Sequence, residues 1–333
     1  MKFKKLYKLN LFLMGVITLL CLFFTTNGVV FADDNQEEFK PRVVGYLPNW
    51  AYREYENIDF STLTHINIAF CNVGSNGEFN TGIPDNAMQA IMQKAKDNNV
   101  KVIAALGGGG YCDPYRSLIA GTDKITALNN KLTAFCQKYG FDGIDLDIEL
   151  GSSDAVWDYY GEWVAALRVI CDENGWLLST ATAQWVAHDV TLETFALFDY
   201  VNVMAYDNDS RSEKSHSSYN FAVECLNYFN VQKGVPKEKL VLGVPFYGRG
   251  YNSNGTLDWN SYISFEDIVK ADENFYDLDV YNGVAYNGAS TMRKKCQLAK
   301  DYGGIMIWEI TLDALGDFSL LSLIKEEIIT PYI

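Results

Sequence analysis

The nine residues Phe141-Asp142-Gly143-Ile144-Asp145-Leu146-Asp147-Ile148-Glu149 set four acids inside an apolar run. On a β-strand successive side chains point to opposite faces, so Asp145, Asp147 and Glu149 share one face and Ile144, Leu146 and Ile148 the other. The carboxylates then stand on Cα atoms roughly 6.6 Å apart, two residues at a rise of about 3.3 Å each. Like charges in one column cannot all ionise freely, so at least one proton is held well above the ordinary carboxyl pKa. A carboxylic acid that keeps its proton at neutral pH is what general-acid catalysis requires. Two plainer readings compete. A calcium loop alternates acids with Gly, Asn and turn residues, not with Ile and Leu. A solvated edge strand has no need of three branched apolar side chains on its back. The column reads as catalytic.

Eight short apolar runs recur along the chain, at 43–47, 65–70, 101–106, 143–149, 177–182, 200–205, 240–244 and 304–308. Between them lie segments of helical periodicity such as 86–98, 125–139 and 157–174. Eight buried strands alternating with helices predict an α/β fold, a (β/α)8 TIM barrel of about 300 residues. A doubly wound open sheet is the rival, but no GxGxxG turn follows the first strand. In a barrel, polar residues at the C-terminal ends of strands form the active site. Here those ends lead into Tyr46 and Trp50, Phe70, Gly107 to Gly110, the acid column, Gln184-Trp185, Met204-Ala205-Tyr206-Asp207, Phe246-Tyr247-Gly248-Arg249 and Trp308-Glu309. Acids ringed by flat side chains suit a sugar, whose C–H faces stack on aromatic rings while polar groups read its hydroxyls. For any single ring, core packing is the alternative.

Residues 1–32 read as a secretory signal: Lys2, Lys4, Lys5 and Lys8, then an apolar stretch, then Val30-Phe31-Ala32 as a cleavage site. A retained membrane anchor is the other reading of that run. Residue Cys21 does not make a lipoprotein site, because Leu20 before it is too large. Residues 33–41 are a polar lead-in, and 42–333 are expected to form one catalytic domain. Cleavage removes four lysines and no acid, taking the net charge from −15 to −19. Such a surface repels nucleic acid and anionic membrane, so a neutral ligand fits better.

Residues Cys71, Cys112, Cys136, Cys171, Cys225 and Cys296 are scattered without a CxxC pair, so no metal site is expected. Export permits disulfides, and Cys71 with Cys112 is the pair expected, both following strands that should be neighbours. The others read as buried thiols. Arg249 and the glycine run could suggest phosphate binding, but no GK[ST] follows and the chain is acidic. The histidines His65, His188 and His216 are isolated and read as structural.

The motif Asp142-x-x-Asp145-x-Asp147-x-Glu149 resembles the DxxDxDxE signature of family 18 glycoside hydrolases, the chitinase family. Supporting matches are Gly45-Tyr46, Asn49-Trp50, the run from Asn202 to Asp207, the run from Gly243 to Arg249, and Met306-Ile307-Trp308-Glu309. The resemblance implies a substrate-assisted, retaining mechanism, the family being an exception to the usual two-carboxylate scheme. It implies Glu149 as acid and then base, Asp147 orienting the acetamido N–H of the substrate, and Asp145 holding Asp147 through a shared proton. Tyr206 would donate to the acetamido oxygen and Trp308 would floor the site, shaped by Met204 and Asp207. Tyr46, Trp50, Phe70, Gly107, Gly108, Trp185 and Tyr247 complete the expected binding set. Asp142, on the opposite parity, should brace the strand. No cofactor, metal or protein partner is implied, and a monomer acting on a saccharide containing N-acetylglucosamine is expected.

The chain departs from the family pattern twice. Ala105 and Gly109 stand where Ser and often Trp occur, removing one stacking platform. Few residues separate strands seven and eight, so the insertion there should be reduced and the groove shallower. Chitin or its oligomers are the expected substrate. An endo-β-N-acetylglucosaminidase acting on N-glycan cores and a non-catalytic lectin are the rivals; lectins of this kind commonly lose the middle Asp or final Glu, and both are present.

Overall fold

The computed structural model describes residues 40–74, 77–209 and 213–332. The expected leader, 1–32, and most of the lead-in, 33–41, lie outside the described residues. Strand β1 (Arg42–Pro48) passes through 3₁₀ turns to β2 (His65–Ala69). Then follow α1 (Asp85–Asp97), β3 (Lys101–Gly107), α2 (Thr122–Tyr139), β4 (Gly143–Asp147), α3 (Trp157–Asn174) and β5 (Leu177–Thr182). After these come α4 (Leu192–Ala196), β6 (Tyr200–Val203), α5 (Tyr219–Asn227) and β7 (Leu240–Pro245). An insertion supplies β8 (Tyr247–Tyr251), β9 (Leu257–Ser264), α6 (Phe265–Ala271), β10 (Val280–Tyr281) and β11 (Val284–Ala285). Helix α7 (Ala289–Lys300), β12 (Gly304–Trp308) and α8 (Leu320–Ile324) end the fold.

Eight of the strands close a parallel barrel in the order β1-β12-β7-β6-β5-β4-β3-β2. The expected (β/α)8 barrel is the fold. The insertion between the seventh barrel strand, β7, and the eighth, β12, is small, as its length predicted: a four-stranded antiparallel sheet in the order β10-β11-β8-β9, carrying α6.

Alternation along each strand divides the core in two. The outward residues, including Ile144, Leu146 and Ile148, pack against the helices. The inward residues form a separate cluster in which small side chains, Ala69, Ala105 and Ala181, lie among Tyr46, Tyr200 and Met306. Those alanines leave space inside the barrel for polar side chains from β4. Asp142 braces the base of β4 as expected: its carboxylate accepts from the Val102 amide at 2.9 Å and the Lys101 ammonium at 2.8 Å, both on β3.

Strand β4 stops at Asp147, two residues before the apolar pattern ends. Beyond it the Asp147 carbonyl takes the Gly108 amide (2.7 Å) and the Glu149 amide donates to Cys112 Sγ (3.2 Å). A thiol thus stands in for the next ladder partner. This also corrects the expected Cys71–Cys112 disulfide. All six cysteines among the described residues are buried and free. The Cys71 thiol faces the Ile68 carbonyl of β2, at 3.6 Å, while Cys112 sits over Gly108 and Glu149.

Candidate active site

Register places the deepest acid. Asp145 on β4 is flanked by Ala105 of β3 and Ser179 of β5. The alanine leaves room, and the serine donates to Asp145 Oδ1 at 2.5 Å. Tyr46 of β1 reaches across the barrel to donate to Oδ2 at 2.7 Å, and Asn202 of β6 donates to Oδ1 at 3.3 Å. Burial raises the pKa of this fully enclosed carboxyl, but three donors favour its anion.

One step up the strand, Asp147 is 3% exposed and its Oδ1 is buried without a partner. Its pKa is pushed far up, by burial first and then by Glu149 and Asp145. Between two acids that share a column, the one with donors ionises and the one without keeps the proton. That arrangement favours the proton on Asp147 over Asp145. The resemblance implied a proton shared between Asp145 and Asp147; here Asp145 is occupied by Tyr46, Ser179 and Asn202, and no hydrogen bond joins the two acids.

Glu149 lies past the strand end, half-buried, with its pKa raised to about 7 by burial and by the charge of Asp207. Asp207, in the loop after β6 with φ +55°, stays ionised. Burial opposes that charge, but His216 and the Arg249 guanidinium (Nε to Oδ1, 3.1 Å) hold its pKa below the usual value. His216 is thus not isolated, as its sequence context implied, but packed behind the site. Arg249 is no phosphate ligand: it is enclosed by the rings of Tyr247, Trp259 and Tyr262, each about 5 Å away.

These acids open into a groove of about 590 Å³. Asp147, Glu149, Met204, Tyr206 and Asp207 line it together. Trp308 lines it too, stacked on Phe70 (ring centroids 5.8 Å apart) and edge-on to Tyr46 and Trp50 (5.6 and 6.4 Å). The hydroxyl of Tyr206 meets only Met306 Sδ, at 3.9 Å, a weak contact that leaves its donor free for a ligand. Three indoles of its lining project into solvent, Trp50 at 64% exposure, Trp259 at 61% and Trp185 at 54%.

Four expected binding residues do not line the groove. Tyr46 is buried and committed to Asp145. Tyr247 is buried behind Tyr206, its ring stacked on Tyr262 at 5.1 Å. Gly107 and Gly108 supply backbone shape: both have positive φ, and a Cβ on Gly108 would lie 2.2 Å from the Phe70 ring. Other groove residues were not anticipated, among them Tyr111, Trp259, Phe221 and Asp209. Tyr111 follows the glycine run by one residue and restores a ring to the loop where Gly109 lacks one. Trp259 comes from the insertion, which presents no barrel strand end and so offered no positional signal.

A parallel barrel whose strand ends bury a column of acids beneath an aromatic-walled groove is the architecture of a carbohydrate-cleaving enzyme. The chain belongs to Glycosyl hydrolases family 18, whose family model matches residues 42–313. It is 26% identical to chitinase A1 of Niallia circulans over 82% of this chain, and 24% identical to endochitinase 1 of Metarhizium robertsii over 83%. The alignments span 56% of the first relative and 82% of the second. A third relative, probable chitinase 10 of Drosophila melanogaster, is matched over only 15% of its length. Among solved structures, the GH18 chitinase ChiB of Flavobacterium johnsoniae superposes with a TM-score of 0.77 at 32% identity, covering 87% of this chain and 94% of that one. A chitinase from Bacteroides thetaiotaomicron gives 0.78 at 27%, covering 88% and 98%.

Proposed function

We propose that this protein is a chitinase-type glycosidase that hydrolyses β-1,4-linked N-acetylglucosamine in chitin or its oligomers, with retention of configuration. The observation that carries this reading is one groove lined jointly by Glu149, Asp147 and Tyr206, in which Asp147 has an unused oxygen and Tyr206 an unused hydroxyl. Those are the partners an acetamido group needs, one for its N–H and one for its carbonyl. Glu149, with a pKa near 7, gives its proton to the glycosidic oxygen as the C1–O bond breaks. The acetamido carbonyl oxygen of the same sugar bonds to C1, forming an oxazolinium ion. Asp147 accepts the N–H on the oxygen that has no protein partner and so orients the acetamido group for attack. Water then adds to C1, Glu149 takes the water's proton, and the ring opens. Trp308 holds the distorted sugar from below. The chitinases among the similar proteins support the same substrate.

An endo-β-N-acetylglucosaminidase would use the same assisted chemistry on N-glycan cores. Incubation with chitotetraose and with a high-mannose glycoprotein separates the two; cleavage of the glycoprotein alone would overturn chitin as the substrate class. The lectin reading is disfavoured because both Glu149 and Asp147 face the groove. We also propose secretion, from the basic and apolar character of residues 1–32. Protein recovered from the medium should begin near Asp33 by intact mass; a full-length chain held in the membrane fraction would refute it.

A further inference from the structure

A second depression borders the catalytic groove beside Trp185. Gln184, the residue before it, lines both; the second is an open hollow of about 780 Å³ on the outer side of α5. The first turn of α5 is the ridge between them: Phe221 faces the catalytic groove, while Tyr219 and Asn220 face the hollow. Apart from Val223, its lining is polar. Four amides, Gln184, Asn220, Asn227 and Gln232, accompany two phenols, Tyr219 and Tyr228. Glu224 is the one charged side chain in the lining, in a chain whose net charge is −15. Lys233, the next residue after Gln232, is turned away to the carbonyls of His188 and Val190. A phosphate or sulfate ligand would meet no cation there, and a basic partner only one acid. Rings that stack on C–H faces together with amides that both donate and accept suit hydroxyl and acetamido groups.

We infer that the hollow formed by Gln184, Tyr219, Asn220, Asn227, Tyr228 and Gln232 is an outlying saccharide-binding site, which takes the part of an N-acetylglucosamine polymer leaving the catalytic groove past Trp185. The inference rests on the proposed chitinase activity and extends it to long substrates. Its occupant follows from adjacency: Gln184 borders both depressions, so a chain lying across Trp185 and over the first turn of α5 comes to the hollow. A site of this kind adds affinity only for chains long enough to span both places.

The test compares substrate lengths in the full-length active enzyme. Tyr219 is exposed, and its replacement leaves the barrel core untouched. Tyr219→Ala, alone and with Gln232→Ala, should leave kcat/KM on chitotetraose unchanged while lowering it on chitooctaose and on colloidal chitin by roughly three- to tenfold, the range of one lost aromatic contact. Tyr219→Phe should retain the long-chain rate, because stacking needs the ring and not the hydroxyl. Equal rates for wild type and Tyr219→Ala on every length, or an equal loss on every length, would overturn the inference and leave the chitinase reading standing. Wild-type enzyme that cleaved no chitooligosaccharide would remove that reading and this site with it.

Discussion

At the scale of single residues the site works by pulling apart the ionisation of neighbouring acids. Asp145 is given three donors, Asp147 none, and Glu149 a half-buried position facing a carboxylate held charged by Arg249. Glu149→Gln removes the transferable proton and preserves shape, so kcat on chitotetraose should fall by about a hundredfold to ten-thousandfold. Binding of the same oligomer, measured by calorimetry, should be largely unchanged. Activity needs Glu149 protonated and should decline as pH rises through about 7. Burial raises this pKa first and the charge of Asp207 second. Asp207→Asn removes the second cause, so the alkaline limb of kcat should move to lower pH; an unmoved limb would show that Asp207 does not set it. Stability follows the same proton. Folding raises the pKa of this carboxyl, so it contributes stability below its unfolded pKa that is lost as pH rises through about 7. The Glu149→Gln protein should therefore melt higher than wild type at pH 8.

At the scale of elements, the ends of strands are held by contacts that no strand pattern specifies. The turn after β3 fits beneath Phe70 only because residue 108 has no side chain and a φ of +88°. Gly108→Ala should cost about 1–3 kcal/mol in urea unfolding and should lower activity by displacing the ring on which Trp308 stacks. Behind β6, α7 is tied to the loop before α5 by a buried lysine. Lys295 Nζ lies 2.8 Å from the Ser217 carbonyl, 2.7 Å from Ser217 Oγ and 2.7 Å from Asn287 Oδ1. Burial pulls its pKa down to about 7. The Ser217 hydroxyl already donates to the Ala205 carbonyl at 2.7 Å, so all three contacts need donors from lysine, which only the ammonium form supplies. Lys295→Met should leave these acceptors unpaired and cost about 2–5 kcal/mol in chemical denaturation.

Across the whole molecule, stability comes from a closed parallel barrel and its helical shell, not from cross-links. The six free thiols are all buried, and burial raises the pKa of each. A thiol reagent should find none in the native protein and six after denaturation of a chain that begins at Asp33. Seven would mean that Cys21, and so the leader, is still attached. Loss of two thiols to a disulfide would contradict the packing of Cys71 and Cys112.

Much of this was legible in order of residues alone. Short continuous apolar runs marked the eight barrel strands, because a parallel sheet is buried on both faces and helices interrupt its strands. Alternation within the fourth of these runs put Asp145 and Asp147 inside the barrel and Asp142 outside, since parity is a local property of the backbone. What lies across space was not legible. That Tyr46 and Asn202 would converge on Asp145 depends on strand register and barrel closure, the partners standing 99 and 57 positions apart. So does the discovery that Tyr247 is packed behind Tyr206 while Trp259 reaches the groove from the insertion. Residue types and spacing determined which chemistry this protein carries; only the closed tertiary structure decided which acid keeps the proton, because that depends on donors brought from distant strands.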